Sequence, residues 1–136
     1  MNSTNYPKAE LKWPVSIKTA EPMDGVTTKL NPNGAFISCS RPLRLYDKFD
    51  ITIDVPSSDG PLEARVEVVF SNIYGPDDDI TPRGMGVRFI NMSSKDRQFI
   101  AKEVLKQLKL KEVDARALKG LQTIAIDEEG TVSVAV

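Results

Sequence analysis

The stretch with the greatest chemical reach is Leu30-Asn31-Pro32-Asn33-Gly34-Ala35-Phe36-Ile37-Ser38-Cys39-Ser40, a turn that runs straight into an apolar strand. Asn tolerates left-handed backbone and Gly supplies positive φ at no steric cost, so Asn-Pro followed by Asn-Gly marks a turn. Such a turn sets backbone N–H groups and short amide side chains at a rim, where a ligand or partner could be met. The plainer alternative is a tight connection and nothing more. Lys8, Lys12, Lys18 and Lys29 could form a basic patch for an anionic nucleotide, or they are a solvated face. Arg41 and Arg44, just after the apolar strand, could help to hold phosphate. Asp77, Asp78 and Asp79 lack the EF-hand spacing and read as a solvated loop tip.

Other chemistry is removed by composition. The chain has no histidine, so the commonest general base and the commonest metal ligand are both missing. The single cysteine, Cys39, cannot form an internal disulfide, which fits a reducing cytoplasm, and without histidine it is not the usual paired thiolate nucleophile. Zinc sites built from Cys and His are excluded by count. Carboxylates remain, but no motif brings two of them together, so the expectation is a protein that is not an enzyme and carries no cofactor or metal. A net charge of −1 argues against gripping a nucleic acid backbone. No run is long and apolar enough for membrane insertion, and the N-terminus lacks a basic-then-apolar secretion pattern. The expected location is cytoplasmic.

The elements that must position these residues follow from periodicity. With 136 residues the chain is large enough for one domain with a real core. Residues 1–11 are polar and read as a tail. From residue 12, Trp13, Val15 and Ile17 alternate with polar positions, and Pro14 faces outward. Residues 21–25 are a turn, 26–30 a second strand and 35–39 a third. Phe49, Ile51, Ile53 and Val55 form the apolar face of a fourth strand; Leu62, Ala64, Val66, Val68 and Phe70 that of a fifth; Met85, Val87 and Phe89 that of a sixth. Then the period changes. Ser93, with Asp96 three positions on, resembles a capping box, and Phe99, Ile100, Val104, Leu105 and Leu108 recur at helical spacing, predicting a helix over 94–110. Residues 123–136 alternate around Asp127-Glu128-Glu129-Gly130 and read as a hairpin closing a C-terminal extension, 111–136. The expected fold is mainly β: a small six-stranded antiparallel β-barrel over 12–110 with a C-terminal α-helix covering its open end.

This order of elements resembles a PilZ domain over roughly residues 4–108. The likeness rests on the opening Trp13-Pro14-Val15-Ser16-Ile17, on Asn31-Pro32-Asn33-Gly34-Ala35-Phe36-Ile37, on a strand ending in Val55-Pro56, on residues 62–70, and on Met85-Gly86-Val87-Arg88-Phe89 before the helix. The resemblance implies a small barrel that binds the bacterial second messenger cyclic di-GMP and passes the signal to a protein partner or fused domain. Family members bind it through Arg-x-x-x-Arg ahead of the first strand and Asp/Asn-x-Ser-x-x-Gly at the turn. Arginines hold phosphate bidentately and stack on guanine, and the short polar side chains bond the guanine edge. Here the arginine positions fall on Thr4 and Lys8, and the turn motif on Lys29 to Gly34, with Lys29 at the acidic place and Asn31 at the serine place. Gly34 alone survives outright. Lys8 keeps a charge without the planar fork, and Lys29 replaces an acceptor by a donor.

Two functions compete. In the preferred one the chain is a non-enzymatic adaptor with weak or lost cyclic di-GMP binding, acting through a protein partner, and its C-terminal hairpin offers strand edges for pairing or for a homodimer. In the alternative it is a working cyclic di-GMP receptor with an altered site drawn from Lys8, Lys29, Asn31 and Asn33 beside Gly34.

Overall fold

In the computed structural model, which describes residues 7–55, 60–73, 83–110 and 115–127, alternation drives the chain into a closed barrel. The strands are β1 (Pro14–Lys18), β2 (Met23–Asn31), β3 (Gly34–Ser38), β4 (Lys48–Ile53), β5 (Leu62–Asn72) and β6 (Gly84–Met92), followed by α1 (Ser94–Leu110) and α2 (Ala115–Asp127). Neighbours around the barrel run β1-β2-β3-β6-β5-β4, every pair is antiparallel, and β1 closes on β4 with Val15 opposite Ile53. Closure buries one side of each strand, and Ile17, Ile37, Ile51, Ile53, Val66 and Val68 lie at or near zero exposure. Pro14 faces outward as expected, and its carbonyl accepts from Asp54 N at 2.8 Å.

The segment ahead of β1 is more than a tail. Ala9 and Leu11 are buried in the core. Ala9 exchanges both backbone hydrogen bonds with Leu30, each 2.9 Å. Further along, Thr27, fully buried, donates its hydroxyl to Leu11 O at 2.5 Å and accepts from Trp13 N at 2.9 Å. That side chain ties β2 to the chain ahead of β1, beyond the pairing of Pro14 with Val26.

α1 begins where Ser93 caps it, its Oγ accepting from Asp96 N at 3.1 Å. Ile100, Val104 and Leu108 are buried, and Phe99 meets Trp13 with ring centroids 6.2 Å apart, so the helix seals one mouth of the barrel.

Two expectations need correction. The C-terminal hairpin does not form as read: its first half, 123–127, lies in α2, and residues 128–136 are outside those described. Leu121, Ile124 and Ala125 sit at three- and four-residue spacing and are all buried, Ile124 and Ala125 against the small Ala101 of α1. Gln98 locks the pair by donating to Ala125 O at 2.5 Å, one of the carbonyls a helix end leaves without a partner. The second correction concerns Phe70. A bulge between Val68 and Phe70 breaks the alternation of β5, so Phe70 leaves the core face and stands half-exposed outside the barrel, with Val69 beside it.

Candidate functional site

The β2–β3 turn is built from its own side chains. Asn31 is buried, and its Oδ1 accepts from Asn33 N at 2.8 Å and from Gly34 N at 3.0 Å. This is an Asx-type turn, so the acceptor of Asn31 is spent on the fold. Asn33 ties the turn to its surroundings: its carbonyl accepts from Phe89 N at 2.8 Å, and its Oδ1 from Arg97 Nη2, in the first turn of α1, at 3.3 Å. Gly34 is required by close approach, since a Cβ there would lie 2.2 Å from the carbonyl oxygen of Val87.

Beside this turn an open groove of 360 Å³ runs along the outer wall, near the lower end of small-molecule sites. Lys8, Asn31, Asn33, Gly34 and Arg88 line its polar end, and Phe36, Val69 and Phe70 its apolar end. Register explains the grouping. Gly86 of β6 lies opposite both Phe36 of β3 and Phe70 of β5, and one step on Arg88 lies opposite Gly34 and Glu67. With no side chain at Gly86 the two rings meet above it, their centroids 6.3 Å apart at 43°. Arg88 reaches Glu67 through Nε at 2.7 Å and Nη2 at 2.6 Å.

The candidate residues thus divide. Lys8, Asn31, Asn33 and Gly34 come together, Lys8 being set there by the Ala9–Leu30 bridge. Lys29 is exposed on β2 opposite Phe36 and does not line the groove. Thr4 lies outside the described residues, as do Asp77, Asp78 and Asp79. Arg41 pairs with Glu21 at 2.9 Å, and Arg44 belongs to a turn with Asp47; neither lines the groove. Burial raises the Cys39 thiol to about 11 against the pull of a backbone hydrogen bond from Arg41, so it stays protonated at neutral pH. Arg88, Phe36 and Phe70 read in the sequence as parts of strands and not as site residues; only the register brings them to the turn.

A larger depression of 570 Å³ lies between β1, β4, β5 and the start of α1. It holds none of the motif positions, and its Asp50 and Arg65 pair with each other at 3.1 Å. Among the described residues no group of three or more His, Cys, Asp or Glu could hold a metal ion, and no helix is long and apolar enough to cross a membrane.

The PilZ domain family model matches residues 5–106. Among solved structures, the inhibitor of motility MotI/DgrA of Bacillus subtilis superposes with a TM-score of 0.68 at 14% identity, covering 82% of this chain and 53% of that one. Escherichia coli YcgR in complex with c-di-GMP gives 0.62 at 13% identity, over 88% of this chain and 52% of that one. The PilZ domain of YcgR with c-di-GMP gives 0.58 at 12% identity, over 82% of this chain and 95% of that one. The chain therefore spans about half the length of the MotI and YcgR chains, and matches the isolated PilZ domain nearly end to end. No curated protein sequence matches it.

Proposed function

Since this chain belongs to the PilZ domain family, we propose that it is a cytoplasmic signalling domain of the cyclic di-GMP system, a receptor that binds the nucleotide in the outer-wall groove and passes the event to a protein partner without catalysing a reaction. The observation that carries this reading is the gathering of Lys8, Asn31, Asn33 and Gly34 with Arg88 around one groove. Two cations and an amide rim suit phosphate and a base edge, and the half-exposed Phe70 ring beside them suits a base face. The solved YcgR structures hold c-di-GMP, so the nucleotide half of the proposal has a counterpart on this fold, and MotI is named an inhibitor of motility.

Calorimetric titration of the purified protein with cyclic di-GMP, at low and moderate salt, tests it. Binding at micromolar affinity or tighter, about −8 kcal/mol or better, is expected. No heat, together with no change in thermal midpoint at excess ligand, would overturn it.

That outcome would favour the adaptor reading, which has its own support. Asn31 spends its acceptor on the turn, and Lys29 stands outside the groove lining. Leu45, Tyr46, Val69 and Phe70 are all about half-exposed or more, and Tyr46 N donates to Val68 O at 2.8 Å, which brings the two pairs together. Tyr46 also holds a φ of 74°, an uncommon conformation for a non-glycine residue. A partner surface here replaces the hairpin edge expected at 123–127, because that segment is helical. In that case Tyr46→Ala should abolish capture of the partner while leaving the thermal midpoint unchanged.

A further inference from the structure

We propose that Arg88 and the Phe36–Gly86–Phe70 row form a phosphate-and-base subsite for a purine nucleotide, and that Glu67 competes with the ligand for Arg88. This deepens the receptor reading and rests on it, because it names which side chains of the groove take which part of the ligand.

The argument begins with what folding does not require. An outward strand position ordinarily carries a polar side chain in water, yet the outer wall here presents glycine at 86 flanked by two aromatic rings. A Cβ at Gly86 would meet nothing closer than Phe70 Cβ at 3.4 Å, so packing leaves room for a side chain that the sequence omits. The omission lets the two rings meet over the glycine, centroids 6.3 Å apart, with Phe70 half-exposed and so presenting ring surface to solvent. Every purine has a π-face that can lie on such a ring.

One register step away stands Arg88. Its side chain is 55% exposed, whereas that of Glu67 is 14% exposed. Both short contacts of the guanidinium, through Nε and Nη2, go to one oxygen of Glu67, and Arg88 itself lines the groove. A phosphate entering beside Lys8 meets a guanidinium that is already oriented, in a chain whose first arginine positions carry Thr4 and Lys8. Glu67 holds that fork in place and also repels the incoming charge.

The experiment is calorimetric titration of the full chain and its variants with cyclic di-GMP and, in parallel, with GMP. Arg88→Ala is expected to weaken binding about tenfold or more, and Phe70→Ala about five- to tenfold. Glu67→Gln should tighten it about two- to fivefold by removing the charge that competes for the exposed guanidinium. Lys106→Ala, which removes one positive charge from α1 as Arg88→Ala does from β6, should bind like wild type. The Glu67 arm separates ligand contact from structural support, since a merely structural loss would not improve affinity. If the wild type binds and Arg88→Ala and Phe70→Ala bind equally well, the subsite is wrong and the receptor reading stands. If the wild type binds neither cyclic di-GMP nor GMP, both fall.

Discussion

The two faces of β3 and β6 are made from the same strands and obey different rules. Inward, Ala35, Ile37, Met85 and Val87 are all at most 4% exposed, and each is accounted for by the water it leaves. Outward, the same strands present Gly34, Phe36, Gly86 and Arg88, where burial explains little. A partly covered ring, a missing side chain and an arginine held by one acid contribute modestly to folding. The inner row says how the barrel stands; the outer row is where the proposed site lies.

The strongest way to break that contrast is to cut the inner face. Ile37→Ala removes a fully buried side chain from the middle of β3 and should cost about 2–5 kcal/mol in chemical denaturation. A loss below ~1 kcal/mol would mean that the barrel interior is loosely packed and that burial does not set the inner row. Gly34→Ala comes next, and it tests the position where the faces meet. Its Cβ would press on the backbone carbonyl of Val87, which cannot rotate away, so β3 and β6 must part and about 1–3 kcal/mol should be lost. The surviving motif glycine therefore has a structural duty, whatever it does for a ligand.

Thr27→Val is the third in size. It keeps the shape, removes the hydroxyl, and leaves Leu11 O and Trp13 N without their side-chain partner, at a cost of about 1–3 kcal/mol by thermal or chemical unfolding. Nothing in Val26-Thr27-Thr28 announced this duty, because the demand arises from chain that lies ahead of β1. The same limit governs the rest of what sequence could reveal. Alternation at Phe49, Ile51 and Ile53, and capping at Ser93, are local signals, and the strands and α1 follow them closely. Phe70 escaped because one extra residue in β5 reverses the side on which it stands. Residues 123–127 misled because Thr123, Ile124 and Ile126 suit a strand by type, while Leu121, Ile124 and Ala125 at helical spacing carried the better signal. In the groove, Lys8 and the turn were legible through motif spacing. Arg88, Phe36 and Phe70 meet only through pairing across β3, β6 and β5, which no local pattern encodes.

Cys39 offers a pH test of the inner face. Burial raises its folded-state value from 9.0 to about 11. The unfolded thiol therefore ionises first as pH climbs, which favours unfolding; the contribution is whole below pH 9 and is lost between pH 9 and about 11. The wild type should lose more stability over that window than Cys39→Ala, read as the difference between their denaturation midpoints at each pH. Equal slopes would place the thiol in water rather than in the barrel.

The smallest expected effect is the most telling. Arg88→Ala removes an ion pair whose arginine is mostly in solvent, so the loss of stability should stay below about 1 kcal/mol. Glu67 is less exposed than its partner and will feel the loss more than a fully hydrated acid would, which sets the upper end of that range. A double-mutant cycle with Glu67→Ala isolates the pair from the packing of the arginine stem. A coupling of a few tenths of a kcal/mol is what an outer wall kept for binding should show, since a guanidinium bound too firmly to its own acid cannot turn to a phosphate. A coupling as large as the cost of Ile37→Ala would make Arg88 a structural member like the residues beneath it, and the distinction between the two faces would collapse.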